Sequence, residues 1–219
     1  MNLAILGGTG NLGYGLARRW ALSGNHVIIG SRDAVKAAAA AAKLSQALGA
    51  RAPVLGGLGN VAAAERADIV ALTVPFAHQA AILADTREAL QGKILVDTTV
   101  PLVPPKVARV QLPAAGSAAR IAQNILGNNV KVVSAFQNVA ADLLQSDGPL
   151  DCDVLVCGDS KDAREQVVRL VAAAGMRGFH AGSLDNAAAA EALTSVLIFI
   201  NKYYAGHAGI RLTGVAPRS

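Results

Sequence analysis

Aromatic side chains are scarce in this chain of 219 residues: they make up 4% of it, with a single tryptophan. Base-stacking surfaces need aromatics, and phosphate-backbone surfaces need clustered cations. The 20 Lys and Arg exceed the 15 Asp and Glu, for a net charge of +5 and a pI near 9.5. These basic residues are scattered, so composition excludes a nucleic-acid partner. A mild positive balance suits anionic small molecules instead. No apolar stretch approaches the roughly 18 residues of a membrane span; the longest late one is Val196 to Ile200. The first strand-like run has no charged leader before it, so no signal peptide is expected and the expected compartment is the cytoplasm. Cysteine is rare too. Cys152 and Cys157 stand at C-x4-C spacing with no histidine pair nearby, which predicts buried small hydrophobes and no metal or redox site.

What the chain does have is aliphatic residues and glycine. It is 53% hydrophobic with 22 glycines, so its core must be built from Ala, Val, Leu and Ile. Helices packed on a parallel sheet have that make-up. The length suits one domain or one and a half.

The first 32 residues are the most informative. Asn2 to Leu6 reads as a buried strand, Gly7-Gly8-Thr9-Gly10-Asn11-Leu12-Gly13 follows, Tyr14 to Ser23 has helical spacing, and His26 to Gly30 is a second strand. Gly8, Gly10 and Gly13 occupy the G-x-G-x-x-G positions of a dinucleotide-binding βαβ unit. Gly8 is expected to make the tight turn, Gly10 to let the pyrophosphate approach the backbone at a helix N-terminus, and Gly13 to let helix and strand pack closely. The second strand then selects the nucleotide. An NAD site places Asp or Glu there for the ribose hydroxyls. Here the residues are Ser31 and Arg32, with Lys36 one turn on, and a hydroxyl, a guanidinium and an ammonium suit the 2′-phosphate of NADP. Asp33 fits the N-cap of the next helix.

The alternation continues. Helices are predicted over 33–48, 61–66, 78–90, 117–126, 161–174 and 186–204, and strands over 52–55, 68–74, 93–97, 130–134 and 153–157. Strands alternating with helices predict a Rossmann-type doubly wound parallel sheet with a smaller C-terminal α/β domain. The expected division is an NADP-binding domain over 1–126 and a small substrate and dimerisation domain over 127–219. Residues 98–117 carry four prolines and read as an irregular loop beside the strand ends. Val74 and Pro75, where the fourth strand exits, can wall the ribose and nicotinamide. His78, two residues beyond that exit, reads as a solvated or capping histidine.

Taken in order, the blocks Gly7 to Gly13, Gly30-Ser31-Arg32, Leu72 to Pro75, Val133-Ser134-Ala135, Val156 to Asp159 and Glu191 to Thr194 resemble the NADPH-dependent reductases of coenzyme F420, a deazaflavin. The similarity spans nearly the whole chain. It implies hydride exchange between NADP(H) and the deazaflavin, held face to face between the two domains. By position, Thr9, Ser31, Arg32 and Lys36 would hold the 2′-phosphate, Asn11 and Leu12 would lie at the pyrophosphate, and Val74 and Pro75 beside the nicotinamide. Positioning the two reacting carbons would supply most of the catalysis, without a proton-shuttling triad.

Two positions depart from the family. Gln137 stands where the family often has histidine, and it is the expected polar partner of the acceptor ring. Ala188, within Ala187 to Ala190, stands where the family has an arginine for an anionic part of the deazaflavin. Three readings therefore stay open: an oxidoreductase of NADP(H) and coenzyme F420, an NADPH-dependent reductase of another acceptor (a flavin, an imine, or a small carbonyl or conjugated compound), and a non-enzymatic NADP(H) redox sensor. The last helix carries Leu193, Val196, Leu197, Ile200 and Tyr204 on one face, widened by Phe199 and Tyr203. That stripe predicts a homodimer.

Overall fold

A computed structural model describes residues 1–49 and 52–217. Strands β1 (Asn2–Leu6), β2 (His26–Ser31), β3 (Val54–Gly59), β4 (Ile69–Leu72), β5 (Ile94–Asp97), β6 (Lys131–Ser134), β7 (Asp153–Gly158) and β8 (Arg177–His180) alternate with helices. These are α1 (Asn11–Leu22), α2 (Ala34–Leu48), α3 (Asn60–Glu65), α4 (Phe76–Thr86), α5 (Ala118–Leu126), α6 (Lys161–Ala173) and α7 (Ala187–Tyr204). The strands form one sheet in the order β3-β2-β1-β4-β5-β6-β7-β8. Its first six positions follow the 3-2-1-4-5-6 order of a doubly wound dinucleotide-binding sheet.

Neighbouring strands are parallel except at one seam. There β6 and β7 run antiparallel through two residue pairs, Val133 with Gly158 and Ser134 with Cys157. The residues after β6 therefore lie alongside β7, and β7 with β8 rises beyond the carboxyl ends of the other strands. Because β6 pairs parallel with β5, the sheet continues across residue 126 without a break.

Apolar side chains cover both faces. Leu16, Trp20, Leu44, Val133, Val156 and Leu170 belong to one core, and Leu72, Leu83, Leu95, Leu126, Val132 and Leu184 to the other. A parallel sheet buried on both sides needs such continuous aliphatic strands. Both cysteines are buried with free thiols, as their spacing predicted.

Several boundaries differ from the sequence reading. Helix α1 starts at Asn11 and not Tyr14, so Asn11, Leu12 and Gly13 form its first turn. Strand β3 spans Val54–Gly59, shifted towards its glycines. A Cβ on Gly57 would lie 2.0 Å from the carbonyl of Ala37, so glycine is what lets α2 sit down on this edge strand. Strand β8, of sequence Arg-Gly-Phe-His, is an addition to the expected elements. Its four residues include a glycine and show no alternation, so periodicity gives no signal.

One buried cation ties the two halves together. Arg19 on α1 is 6% exposed and donates to the carbonyls of Leu143, Leu144, Ser146, Gly148 and Ala174 at 2.8–3.4 Å. Next to it, the Trp20 indole donates to the Leu170 carbonyl at 2.8 Å, and its ring meets Phe136 edge-on at 5.9 Å.

Candidate functional site

The turn after β1 is built by its backbone. Gly8 N donates to the carbonyls of Ile5 and Gly30 at 3.1 and 3.0 Å, and Gly10 N to Gly7 at 3.0 Å. The left-handed residue is Gly7, at φ +77°, and not Gly8. A Cβ on Gly7 would fall 2.5 Å from the Val74 side chain, so Gly7 both makes the turn and admits β4's exit. Gly13 packs as its place in the motif requires: a Cβ there would lie 2.4 Å from the Thr73 hydroxyl and 2.8 Å from Gly8 Cα. Gly10 is different, since a Cβ on it would meet nothing nearer than the Gly7 carbonyl at 3.5 Å. Its outer face is open.

A cleft of about 190 Å³ gathers Gly7, Thr9, Gly10, Ser31, Arg32, Asn60, Val74, Pro75 and His78. Both ends of the predicted nucleotide site thus meet in one space, at the point where the chain order of the strands reverses. Open α/β sheets bind ligands there. Asn11, Leu12 and Gly13 stand just behind it, in the first turn of α1, and Lys36 at the start of α2.

Charges around this cleft are arranged for an anion. Asp33 is the N-cap of α2: its Oδ1 accepts from the amides of Val35 and Lys36 at 3.0 and 3.1 Å. Ser31 Oγ accepts from Asp33 N at 3.2 Å, which leaves its hydroxyl hydrogen free to donate outward. Lys36 Nζ lies 4.0 Å from Asp33 with both side chains largely exposed, a pairing worth little in water. Arg32 makes no hydrogen bond or ion pair among the described residues, so its guanidinium is available.

The sequence reading missed Asn60. It is 9% exposed and its buried Oδ1 has no hydrogen-bond partner. An orphaned acceptor on a cleft wall is unusual and suits a donor on a bound nucleotide. Its only signal in the sequence is a Gly-Asn at the end of a strand.

Gln137 lies elsewhere, at 6% exposure. Its Nε2 donates to the Asp97 carbonyl at 2.8 Å and to Ser134 Oγ at 2.9 Å, and only its buried Oε1 lacks a partner. Its amide nitrogen is therefore committed to holding its own loop, while Oε1 is left as an unpaired acceptor. That loop has an unusual backbone, with Phe136 at φ +72° and its ring buried. Asp97, where β5 ends, is fully enclosed and accepts from Gln79 Nε2 at 2.6 Å and Thr99 N at 2.9 Å; burial raises its pKa above the usual carboxylate range.

A larger cavity of about 580 Å³ lies among β8, the start of α6 and residues 212–217, with Lys161, Arg164 and His180 on its walls. None of the predicted nucleotide residues reaches it. Among the described residues no cluster of His, Cys, Asp or Glu could hold a metal ion, and no helix is long and apolar enough to cross a membrane.

Comparison with known proteins gives the family. Residues 2–101 match the family model described as NADP oxidoreductase, coenzyme F420-dependent. The chain is 42% identical to the F420-dependent NADP reductase of Methanocaldococcus jannaschii, over 98% of this chain and 99% of that protein. It is 40% identical to the enzyme of the same name from Methanothermobacter marburgensis, with the same coverage. A solved structure from Arthrobacter sp. FB24, described as a candidate F420-dependent NADP reductase, superposes with a TM-score of 0.78 at 28% identity, covering 94% of this chain and 96% of that one. A pyrroline-5-carboxylate reductase from Coxiella burnetii shares the fold, with a TM-score of 0.62 at 16% identity over 93% of this chain and 68% of its own.

Proposed function

Since the chain belongs to the family of F420-dependent NADP oxidoreductases, we propose that it exchanges a hydride between NADP(H) and coenzyme F420. The observation that carries this is resemblance along the whole chain: enzymes with that name match 98% of it at about 40% identity. When bound, the nicotinamide and the deazaflavin would supply the redox chemistry, a hydride passing between them.

The residues present fit the nucleotide. Gly10 offers an open backbone, and the first amides of α1 suit a pyrophosphate, so we assign that group to Gly8, Gly10, Asn11, Leu12 and Gly13. Thr9, Ser31, Arg32 and Lys36 form the 2′-phosphate side, and Asn60 offers an acceptor beside them. Val74 and Pro75 line the nicotinamide end, where an apolar wall keeps water from the reacting face. Gln137 acts as a positioning residue: it ties the 135–138 loop to the end of β5, at the carboxyl edge where the acceptor would lie. Residues 1–126 would thus carry NADP, and 127–219 the acceptor side and the dimer contact.

NADPH oxidation assayed with coenzyme F420, FMN, FAD and an imine panel tests the reading. Turnover with coenzyme F420 is the expected result. Turnover of another acceptor with none for the deazaflavin would overturn it.

A homodimer is the assembly that best accounts for α7. Leu197 is buried within its own chain, yet Val196, Phe199 and Tyr203 are 43%, 57% and 71% exposed, and the last two stack at 6.2 Å. These three lie at i, i+3 and i+7, on one helical face that a second copy would cover. Light scattering at micromolar concentration is expected to give twice the chain mass of 22.2 kDa, and a monomer mass would exclude the dimer. The two free thiols accord with a reducing cytoplasmic setting.

A further inference from the structure

The alanine-rich start of α7 conceals one acidic residue that neither the sequence reading nor the family blocks assign a task. Glu191 is 1% exposed. Its Oε2 accepts from Ala118 N at 2.6 Å and its Oε1 from Ala119 N at 3.1 Å. These are the first two amides of α5, and Ser117 Oγ takes the next, from Arg120, at 2.9 Å. A helix leaves its first four N–H groups without internal partners. Here a residue more than 70 positions away in sequence satisfies two of them.

The same turn of α7 grips the loop after β6. Asn138 Nδ2 donates to the Ala190 carbonyl at 2.8 Å and to Thr194 Oγ1 at 3.0 Å, and Thr194 Oγ1 lies 3.0 Å from the Gln137 carbonyl, to which it can donate. Residues 190, 191 and 194 therefore join α5 on one side and the loop on the other. Phe136 holds its left-handed backbone inside this frame. A non-glycine residue keeps such a conformation only where its surroundings over-determine it.

We propose that Glu191 is a positioning residue for hydride transfer: by capping α5 it fixes the turn of α7 that shapes the 135–138 loop, and so sets affinity for the acceptor and not for NADP(H). This rests on the acceptor lying at that loop. Charge around Glu191 makes the link sensitive to pH. From β5 the buried Asp97 faces it, and from β7 the Cys157 thiol. Arg120, on the first turn of α5, is engaged by Asp159 and Asp185 at 3.3 and 2.6 Å. Burial, with a smaller contribution from Asp97, pushes Glu191 up to about 7. Hydrating Glu191 would return it to the ordinary carboxylate range. The docked state of α7 is thus fully favoured below that range and loses stability as pH rises through about 7.

The only tryptophan of the chain packs on Phe136, so Trp20 emission reports the loop without any ligand. In nucleotide-free protein, acrylamide quenching of Trp20 is expected to increase between pH 6 and 8 in the wild type and to stay flat in Glu191→Gln. In Glu191→Ala, quenching should be high throughout, with the acceptor KM raised tenfold or more and the NADPH Kd within twofold of wild type. Flat wild-type quenching would overturn the proposal, whether or not the alanine variant folds. Equal losses for acceptor and NADPH would reduce Glu191 to a general structural role. Altered quenching with an unchanged acceptor KM would instead show that the acceptor binds away from this loop.

Discussion

Replacing Arg32 by alanine is expected to weaken NADPH binding roughly 10- to 150-fold while leaving NADH nearly unchanged. The range follows from the ~1.5–3 kcal/mol that a hydrogen bond to a charged group contributes. Only NADPH carries the 2′-phosphate, so only NADPH can lose that contact. The structure supplies the conditions: Arg32 has no partner among the described residues, lines the same cleft as Ser31, and has no rival carboxylate because Asp33 is spent on capping α2. Arg32→Lys should recover part of the loss, since an ammonium keeps the charge but not the two-pronged geometry. Titration of both nucleotides by fluorescence is the measurement. Equal weakening of NADH would refute the 2′-phosphate assignment.

The largest effect on stability is expected at Arg19. Removing its guanidinium would strand the carbonyls of Leu144 and Ala174, whose bonds to it are buried, while those of Leu143, Ser146 and Gly148 lie nearer the surface, where water can replace it. Buried acceptors left without donors each cost about 1–3 kcal/mol. With partial relaxation, Arg19→Ala should lose on the order of 4 kcal/mol, among the largest single-residue effects. For a chain of this size that corresponds to roughly 8–16 °C in Tm. Because the carbonyls belong to residues 143–148 and 174, the loss should fall first on the C-terminal half. Hydrogen exchange would then show α6 and β7 opening before β1 and β4. A Tm within 3 °C of wild type would show that the five bonds contribute little.

The first βαβ unit, and the meeting of its glycine turn and strand ends in one cleft, were legible in the sequence because their constraints are local. A turn that must avoid side chains, a helix that must open on an anion and a strand that must end on cations each leave marks a few residues apart. The C-terminal half is different. Glu191 stands after four alanines and looks like any solvated helix charge; only the fold reveals that α5 begins against it. Nothing near Arg19 in the sequence marks it as buried either; residues 143–148, which it bonds, lie more than 120 positions away. Gln137 shows a subtler limit. Its residue type suggested a group facing a ligand, but the orientation of an amide is set by the nearest acceptors, and for its nitrogen those are the Asp97 carbonyl and the Ser134 hydroxyl. Glycine positions could be read, but their division of labour could not, because whether Gly7 or Gly8 takes the left-handed turn depends on where Val74 arrives from β4.

The buried thiols give this protein an internal clock. Burial raises the Cys152 pKa and pushes Cys157 up to about 11, and only the thiolate of an accessible cysteine reacts quickly with alkylating agents. Labelling therefore waits for the chain to open. The two sulfurs sit under different covers: Cys152 lies beneath the segment after α7, where a Cβ on Gly209 would come within 2.8 Å of its Sγ, while Cys157 packs in the core shared by α5 and the start of α7. The order in which an alkylating agent marks them, followed by mass spectrometry, would time the lifting of the C-terminal segment separately from the parting of α5 and α7.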